Sequence, residues 1–275
     1  MMIVDSQVHI WGANTPDRPW PARAHPHRDI PVGHEEMLGW MDQAGVHRAV
    51  IVPPSWEGDR NDLAIAAALA HPDRFAVMGR FNPDAPDARE TLSGWLEQPG
   101  MLGIRFAFHL PALQQPLLEG RYDWVWGAAE ALDIPLMILV RQAMIPAIDA
   151  IAARHPGLRI VMDHMALTAG EPEEAAFRDF DRLLTLARRP NVAVKATALP
   201  KYTDEAYPFL RIQDHVRSVH QAFGPQRVFW GSDITNSRVS YRQHIDMWLH
   251  EARWLPEEDK TWVLGRGIME WLRWR

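Results

Sequence analysis

The 275-residue chain has no cysteine. This excludes disulfides, thiolate catalysis and cysteine-ligated zinc, and it fits a reducing cytosol. Long apolar runs are missing too: the stretch 134–140 is far too short to span a bilayer. No basic segment followed by an apolar one opens the chain, so the expectation is a cytoplasmic protein without a secretory signal. Positive charge is not in excess. The 29 basic and 35 acidic residues leave a formal charge of −6, and no basic block or arginine-rich helix stands out, which argues against nucleic acid as a partner. No repeat, low-complexity tract or linker divides the chain, and one domain over residues 1–275 is the simplest expectation.

What is present is apolar and rich in tryptophan. A hydrophobic fraction of 47% at this length can bury a large core. The 13 tryptophans and 22 prolines exceed ordinary usage. Trp40, Trp95, Trp124, Trp126, Trp248, Trp262 and Trp271 fall in helical patterns and suit a packed helix layer, or a homo-oligomer interface. Trp11 and Trp20 lie in a Pro-rich loop after the first strand-like run, where Trp11 in particular could line a pocket.

Strands and helices alternate along the whole chain. Strand-like runs cover residues 2–9, 48–52, 75–81, 102–106, 135–140, 159–162, 192–196 and 227–230. Helical patterns cover 35–44, 61–70, 85–97, 124–132, 145–154, 173–188 and 210–223, and two further helices close the chain. Eight strands in such alternation predict an α/β protein, a (β/α)8 barrel of parallel strands. An open doubly wound sheet would normally carry a Gly-rich phosphate turn after its first strand, and Gly12-Ala-Asn does not supply one.

In such a barrel the carboxyl ends of the strands carry the chemistry. They offer Gln7 and His9; Pro53, Pro54 and Ser55; Arg80 and Asn82; then Arg105, Arg141, His164, Lys195 and Asp233. Gln7 and His9, two apart on a strand, share a face. A polar group at one strand end is usually solvated. So many at one mouth predict a site.

The opening Asp5-Ser-Gln-Val-His9-Ile-Trp, the Met162-Asp-His164 strand end and Trp230-Gly-Ser-Asp233 together resemble the amidohydrolase-related branch of the amidohydrolase superfamily. The resemblance runs over nearly the full length, and each motif stands on the expected strand. It implies a distorted (β/α)8 barrel that hydrolyses C–O or C–N bonds or decarboxylates acids. By pattern the nearer relatives are lactonases, similar to 2-pyrone-4,6-dicarboxylate hydrolase and to sugar-acid lactonases.

Two positions depart from that pattern. Where the family usually has histidine, this chain has Gln7 on strand one and Arg141 on strand five. Gln is a weak neutral ligand, and the protonated guanidinium of Arg is none. The favoured expectation is therefore a site without metal. If a single divalent ion such as zinc is bound, its ligands are His9, His164 and Asp233.

The expected reaction is the opening of a carboxylate-bearing lactone. Asp233 acts as general base on water, while His9 and His164 orient that water or protonate the leaving oxygen. Arg141, Arg105 or Lys195 stabilise the oxyanion and clamp a substrate carboxylate, with Gln7, Trp11 and Tyr202 as further substrate contacts. The expected partner is thus a small anionic substrate, with neither nucleic acid nor membrane. Arg105 and Lys195 could instead form a structural ion pair. His25 and His27 are expected in a surface loop, and His109 could reach the pocket from beyond strand four. Lys201 and Tyr202 begin an aromatic loop that could cover the site. His34, His47, His71, His155, His215, His220, His244 and His250 are expected to have no chemical role. The alternatives are a metal-dependent decarboxylase or amide hydrolase of the same fold, and a non-catalytic barrel that binds small anions.

Overall fold

The structure, a computed structural model, describes every residue except Arg23, Leu110, Ala169 and Pro172, and the side chains of Pro111 and Ala112 are also left aside. The eight strands are β1 (Val4–Val8), β2 (Arg48–Ile51), β3 (Phe75–Arg80), β4 (Met101–Ala107), β5 (Leu136–Leu139), β6 (Ile160–Met162), β7 (Val192–Thr197) and β8 (Val228–Gly231). They form one sheet in sequence order, each parallel to the next. Short apolar runs paired in parallel need cover on both faces. The helices give it outside: α1 (His34–Ala44), α2 (Asp62–Ala70), α3 (Ala88–Ser93), α4 (Pro111–Leu118), α5 (Asp123–Ala131), α6 (Ile145–Arg154), α7 (Glu173–Ala176), α8 (Asp181–Thr185) and α9 (Leu210–Phe223). The chain closes with α10 (Tyr241–Asp246), α11 (Glu257–Thr261) and α12 (Gly267–Leu272).

Strand alternation fills the inside. Val4, Val50, Ala76, Met78, Met137, Val161, Ala193 and Phe229 form one buried cluster drawn from seven of the strands, plugged by Ile268, Leu272 and Trp274 at the end of the chain. The intervening residues (Phe75, Val77, Leu136, Ile138, Ile160, Met162, Val192, Val194) join the larger core under the helices. This period of two fixes which later residue of each strand turns inward.

The seam between β8 and β1 is closed by a side chain. The buried carboxylate of Asp5 accepts hydrogen bonds from the Ser232 N–H (2.9 Å), the Ser232 hydroxyl, the Tyr241 hydroxyl (2.7 Å) and the Gln7 N–H (2.9 Å). Burial still leaves its pKa raised, against the lowering by those four donors. Gly231 is needed at this seam: a Cβ there would lie 2.5 Å from the Thr197 methyl and 2.7 Å from Ser6 Oγ.

Several expected elements differ, three of them in ways that bear on the site or its surroundings. The helix over 85–97 begins only at Ala88 and, after Gly94, gives way to a 3-10 turn at Trp95–Glu97. The helix over 173–188 divides into α7 and α8, with Phe177 stacked on His215 at 3.7 Å between ring centroids and Phe180 against the same ring at 5.3 Å. Strand seven runs one residue further than expected, to Thr197. Among the described residues no helix is long and apolar enough to cross a membrane.

Candidate active site

A cavity of about 240 Å³ opens at the carboxyl ends of the strands. His9, His27, Trp56, Arg105, His109, Arg141, His164, Lys201, Tyr202 and Asp233 are among the residues that line it. The strand ends turn sharply here. His164 (φ 51°), Met165 (φ 54°), Ala166 (φ 57°), Ala198 (φ 56°) and Asp233 (φ 51°) all sit in the left-handed region, which is costly for residues with a Cβ. That turn presents His164 and Asp233 to the cavity.

The wall from β6, β8 and β1 is held by hydrogen bonds. His9 Nδ1 lies 2.5 Å from the Val52 carbonyl oxygen, which has only lone pairs, so the ring nitrogen donates. His9 Nε2 is thereby left for Asp233 Oδ1, 3.1 Å away. The Asp233 N–H donates to the Gln7 carbonyl at 3.0 Å. Burial works to raise the Asp233 pKa, but the hydrogen bond and charge of His9, with His164 and His27, hold it well below the usual carboxylate range. His164 Nδ1 sits 2.6 Å from the Thr197 hydroxyl, and burial pushes its pKa down to about 3, so the ring is neutral at ordinary pH. Burial also raises the Tyr202 hydroxyl, aided by the nearby Asp233 and Asp163 charges, so it remains a hydrogen-bond donor.

Beneath this wall lies a closed ionic layer. Lys195 Nζ is 2.9 Å from Asp163 Oδ1, and Arg105 Nε is 3.3 Å from Asp163 Oδ2. Lys195 also donates to the Gln7 side-chain oxygen. Lys195, Asp163 and Gln7 have no solvent exposure. Burial opposes charge on Asp163, yet Lys195 and Arg105 keep its pKa below the ordinary value.

The opposite wall is cationic. Arg105 faces the cavity and reaches Asp163 only through Nε. Arg141 is exposed at the rim. His109 has a buried Nδ1 with no partner among the described residues; burial, then the charges of Arg105, Arg141 and Arg80, push its pKa down to about 4.

The structure brings His9, His164, Asp233, Arg105, Arg141 and Tyr202 of the expected set to one cavity. Three others stand elsewhere. Lys195 does not touch the cavity: Thr197, the next inward residue of the longer β7, occupies that level, and Lys195 lies one layer below. Gln7 is likewise under the floor, on Lys195. Trp11, only 1% exposed, stands behind the lining, its ring edge-on to Trp56 at 5.3 Å and to His27 at 6.4 Å. The surface loop expected for His27 is corrected as well. His27 lines the cavity, 4.8 Å from the Trp56 ring and 5.5 Å from His9, with Nδ1 2.8 Å from the Thr235 hydroxyl. Burial lowers its pKa to about 4. Lys201 stands at the cavity with the loop expected to cover it, whereas Trp56 and the supporting Asp163 and Thr197 were not singled out for these places. Asp163 alone had a readable signal, since it is in phase with inward Val161.

The donor set does not fit a metal of the kind the family pattern implies. Because the Lys195 ammonium donates to Oε1 of Gln7, the amide nitrogen is what turns toward His9, at 3.2 Å between nitrogens. An amide nitrogen has no lone pair to give a metal. Among the described residues, the one trio of His, Asp or Glu ligand atoms within 4.8 Å of one another is His34, Glu35 and His71, away from this cavity. His9, His164 and Asp233 do not converge in that way.

The amidohydrolase family model matches residues 4–273. An L-fucono-1,5-lactonase of Burkholderia ambifaria is 30% identical over 253 residues, which cover 86% of this chain and 81% of that protein. An amidohydrolase of Burkholderia multivorans superposes with a TM-score of 0.82 at 20% identity, over 99% of each chain, and has been crystallised with HEPES in one form and with zinc in another. A probable 2-pyrone-4,6-dicarboxylic acid hydrolase of Acinetobacter baumannii, with citric acid bound, superposes over the whole of both chains with a TM-score of 0.79 at 16% identity. With a matching family model over almost its full length and an eight-stranded parallel barrel behind it, the chain belongs to the amidohydrolase family.

Proposed function

We propose that the protein is a hydrolase that opens a lactone at the barrel mouth, and that the lactone bears a carboxylate. The observation that carries this reading is the Asp233–His9 pair facing an arginine wall across one cavity of about 240 Å³. The Burkholderia ambifaria relative, named as a lactonase, supports the reaction class. The cations Arg105, Arg141 and Lys201 around the cavity of a net-acidic chain support an anionic substrate.

In this reading water adds to the ester carbonyl as its proton passes to the Asp233–His9 pair. The C–O bond to the ring oxygen then breaks, and the same pair returns the proton to that oxygen, giving a hydroxy acid. His164, neutral and fixed by Thr197, accepts a hydrogen bond from the attacking water. Arg105 and Arg141 stabilise the oxyanion. No step needs a bound metal. The Lys195-held Gln7 amide, Arg141 at the strand-five mouth and the failure of His9, His164 and Asp233 to converge within 4.8 Å support that view.

A second substrate reading, an uncharged sugar-acid lactone, is favoured by the relative's name. There the arginines would hold only the carboxylate that ring opening creates. A lactone panel followed by acid release separates the two. We expect turnover of carboxylate-bearing lactones, with Arg141→Lys raising their KM about tenfold while leaving uncharged lactones nearly untouched. Equal losses on both would overturn the anionic substrate. Release of carbon dioxide without any lactone opening would overturn the reaction itself.

A further inference from the structure

Arg80 closes β3 in phase with Ala76 and Met78, so its side chain turns into the barrel mouth. Its backbone is clamped on both sides by Asn61, whose Nδ2 donates to the Arg80 carbonyl at 2.9 Å and whose Oδ1 accepts from the Arg80 N–H at 2.7 Å. The guanidinium has no such clamp. Its Nε and Nη1 are shielded from solvent and have no partner among the described residues. Asp59, the carboxylate that acts on it most, is exposed and forms no ion pair with it among the described residues. Burial, then the charge of Arg105, pull the Arg80 pKa down to about 10, which leaves it a cation at neutral pH.

Two shielded guanidinium nitrogens without partners on a half-buried arginine are costly to hold, and an apolar side chain would avoid that cost. Its retention here has a local explanation. Arg80 borders a second cavity of about 170 Å³, lined also by Asn82, Phe106, Tyr122 and, at its exposed side, Asp59. Arg105 lines both this chamber and the main cavity. Two guanidinium groups beside one small, partly apolar space repel each other. A bound hydroxyl would leave that repulsion in place, whereas a bound oxyanion removes it and fills the empty donors together.

We propose that Arg80, with Arg105, forms an oxyanion subsite beside the main cavity that takes a second carboxylate of the substrate, remote from the ester being opened. The word substrate here rests on the lactone reading above; the subsite itself does not. Arg80 is thereby a specificity-determining residue that selects compounds with two acidic groups.

The test is equilibrium binding by calorimetry of unreactive dicarboxylates, malonate through adipate, against acetate. The proteins compared are the wild type, Arg80→Gln and Arg80→Lys. We expect the best dicarboxylate to bind the wild type at least about tenfold more tightly than acetate, and Arg80→Gln to bring it down to the acetate level. Arg80→Lys should fall between, since a point charge replaces a planar fork. Arg80→Gln should also raise Tm by about 2 °C, because a half-buried charge with two unpartnered nitrogens has gone. A structural arginine would give the reverse. Unchanged dicarboxylate affinity in Arg80→Gln, no dicarboxylate preference in the wild type, or a lower Tm in the variant would each overturn the subsite. Lactone opening with an unaltered KM in Arg80→Gln also overturns it while leaving the reaction intact. The expected binding pattern without any lactone turnover would keep the subsite and sink the reaction.

Discussion

On the β6, β8 and β1 side of the cavity, the two histidines already have protein partners, and the Asp233 carboxylate lies 3.1 Å from one of them. His9 is held by Val52 and Asp233, and His164 by Thr197. On the β3 to β5 side the groups are largely unanswered. Arg105 makes one contact at 3.3 Å, Arg141 extends into solvent, and Arg80 and His109 keep shielded nitrogens without partners among the described residues. The first wall keeps its geometry whether or not a ligand is present, as catalytic groups must. The second is complete only with an anion against it. Changes in the first wall should therefore act on turnover, and changes in the second on binding.

The largest effect should come from Asp233→Asn. The amide keeps the shape but cannot take a proton, so kcat on the best lactone should fall about 10³-fold, roughly 4 kcal/mol, with KM within about threefold. A raised KM with kcat intact would make Asp233 a binding group and erase the contrast between the walls.

Next in size is the layer that props up both. Lys195→Met removes the cation that Asp163 faces inside the barrel, where neither side chain has any solvent exposure. Breaking one half of a buried pair costs about 3–5 kcal/mol, to be read from urea unfolding. A change under about 1 kcal/mol would show that Arg105 alone satisfies Asp163.

The smallest effect per residue is one of acidity. Burial lowers the pKa values of His27, His109 and His244 to about 4 and that of His164 to about 3, all from an unfolded value of 6.5. Between those values the unfolded chain binds more protons than the folded one, so stability rises with pH across that window and is lost as pH falls. Thermal unfolding from pH 7 to pH 5 should show a declining Tm, with each histidine contributing on the order of 1–2 kcal/mol at the acid end. Replacing His109 by Asn should flatten the decline. If it does not, His109 is charged in the folded protein and belongs to a different balance of forces.

The barrel was legible because its strands are short, apolar and regularly spaced, and period two correctly aims Arg105, Lys195 and Asp163 inward. Height within the barrel was not legible. Whether Lys195 meets the cavity depends on β7 running to Thr197, one residue beyond where the apolar pattern stops. His27 could not be placed because its loop is positioned by tertiary contacts, with Thr235 from beyond β8 and Trp56 from beyond β2. Gln7 stood out as an exception to the ligand pattern, but its orientation is set by Lys195, 188 residues away in the chain. No helix was expected over 111–118, because two prolines break the pattern there; Pro111 opens α4, while Pro116 lies inside it.

The central feature is a site that works through its own side chains, with the Gln7 amide nitrogen facing His9 where a ligand would be expected. The most direct test is kcat/KM on the best lactone for protein stripped by a strong chelator, with metal content measured on the same sample. A site of this kind should keep kcat/KM unchanged at a metal content well below one ion per chain, with no gain when zinc or manganese is added back. Activity that disappears with the metal and returns with it would contradict the account.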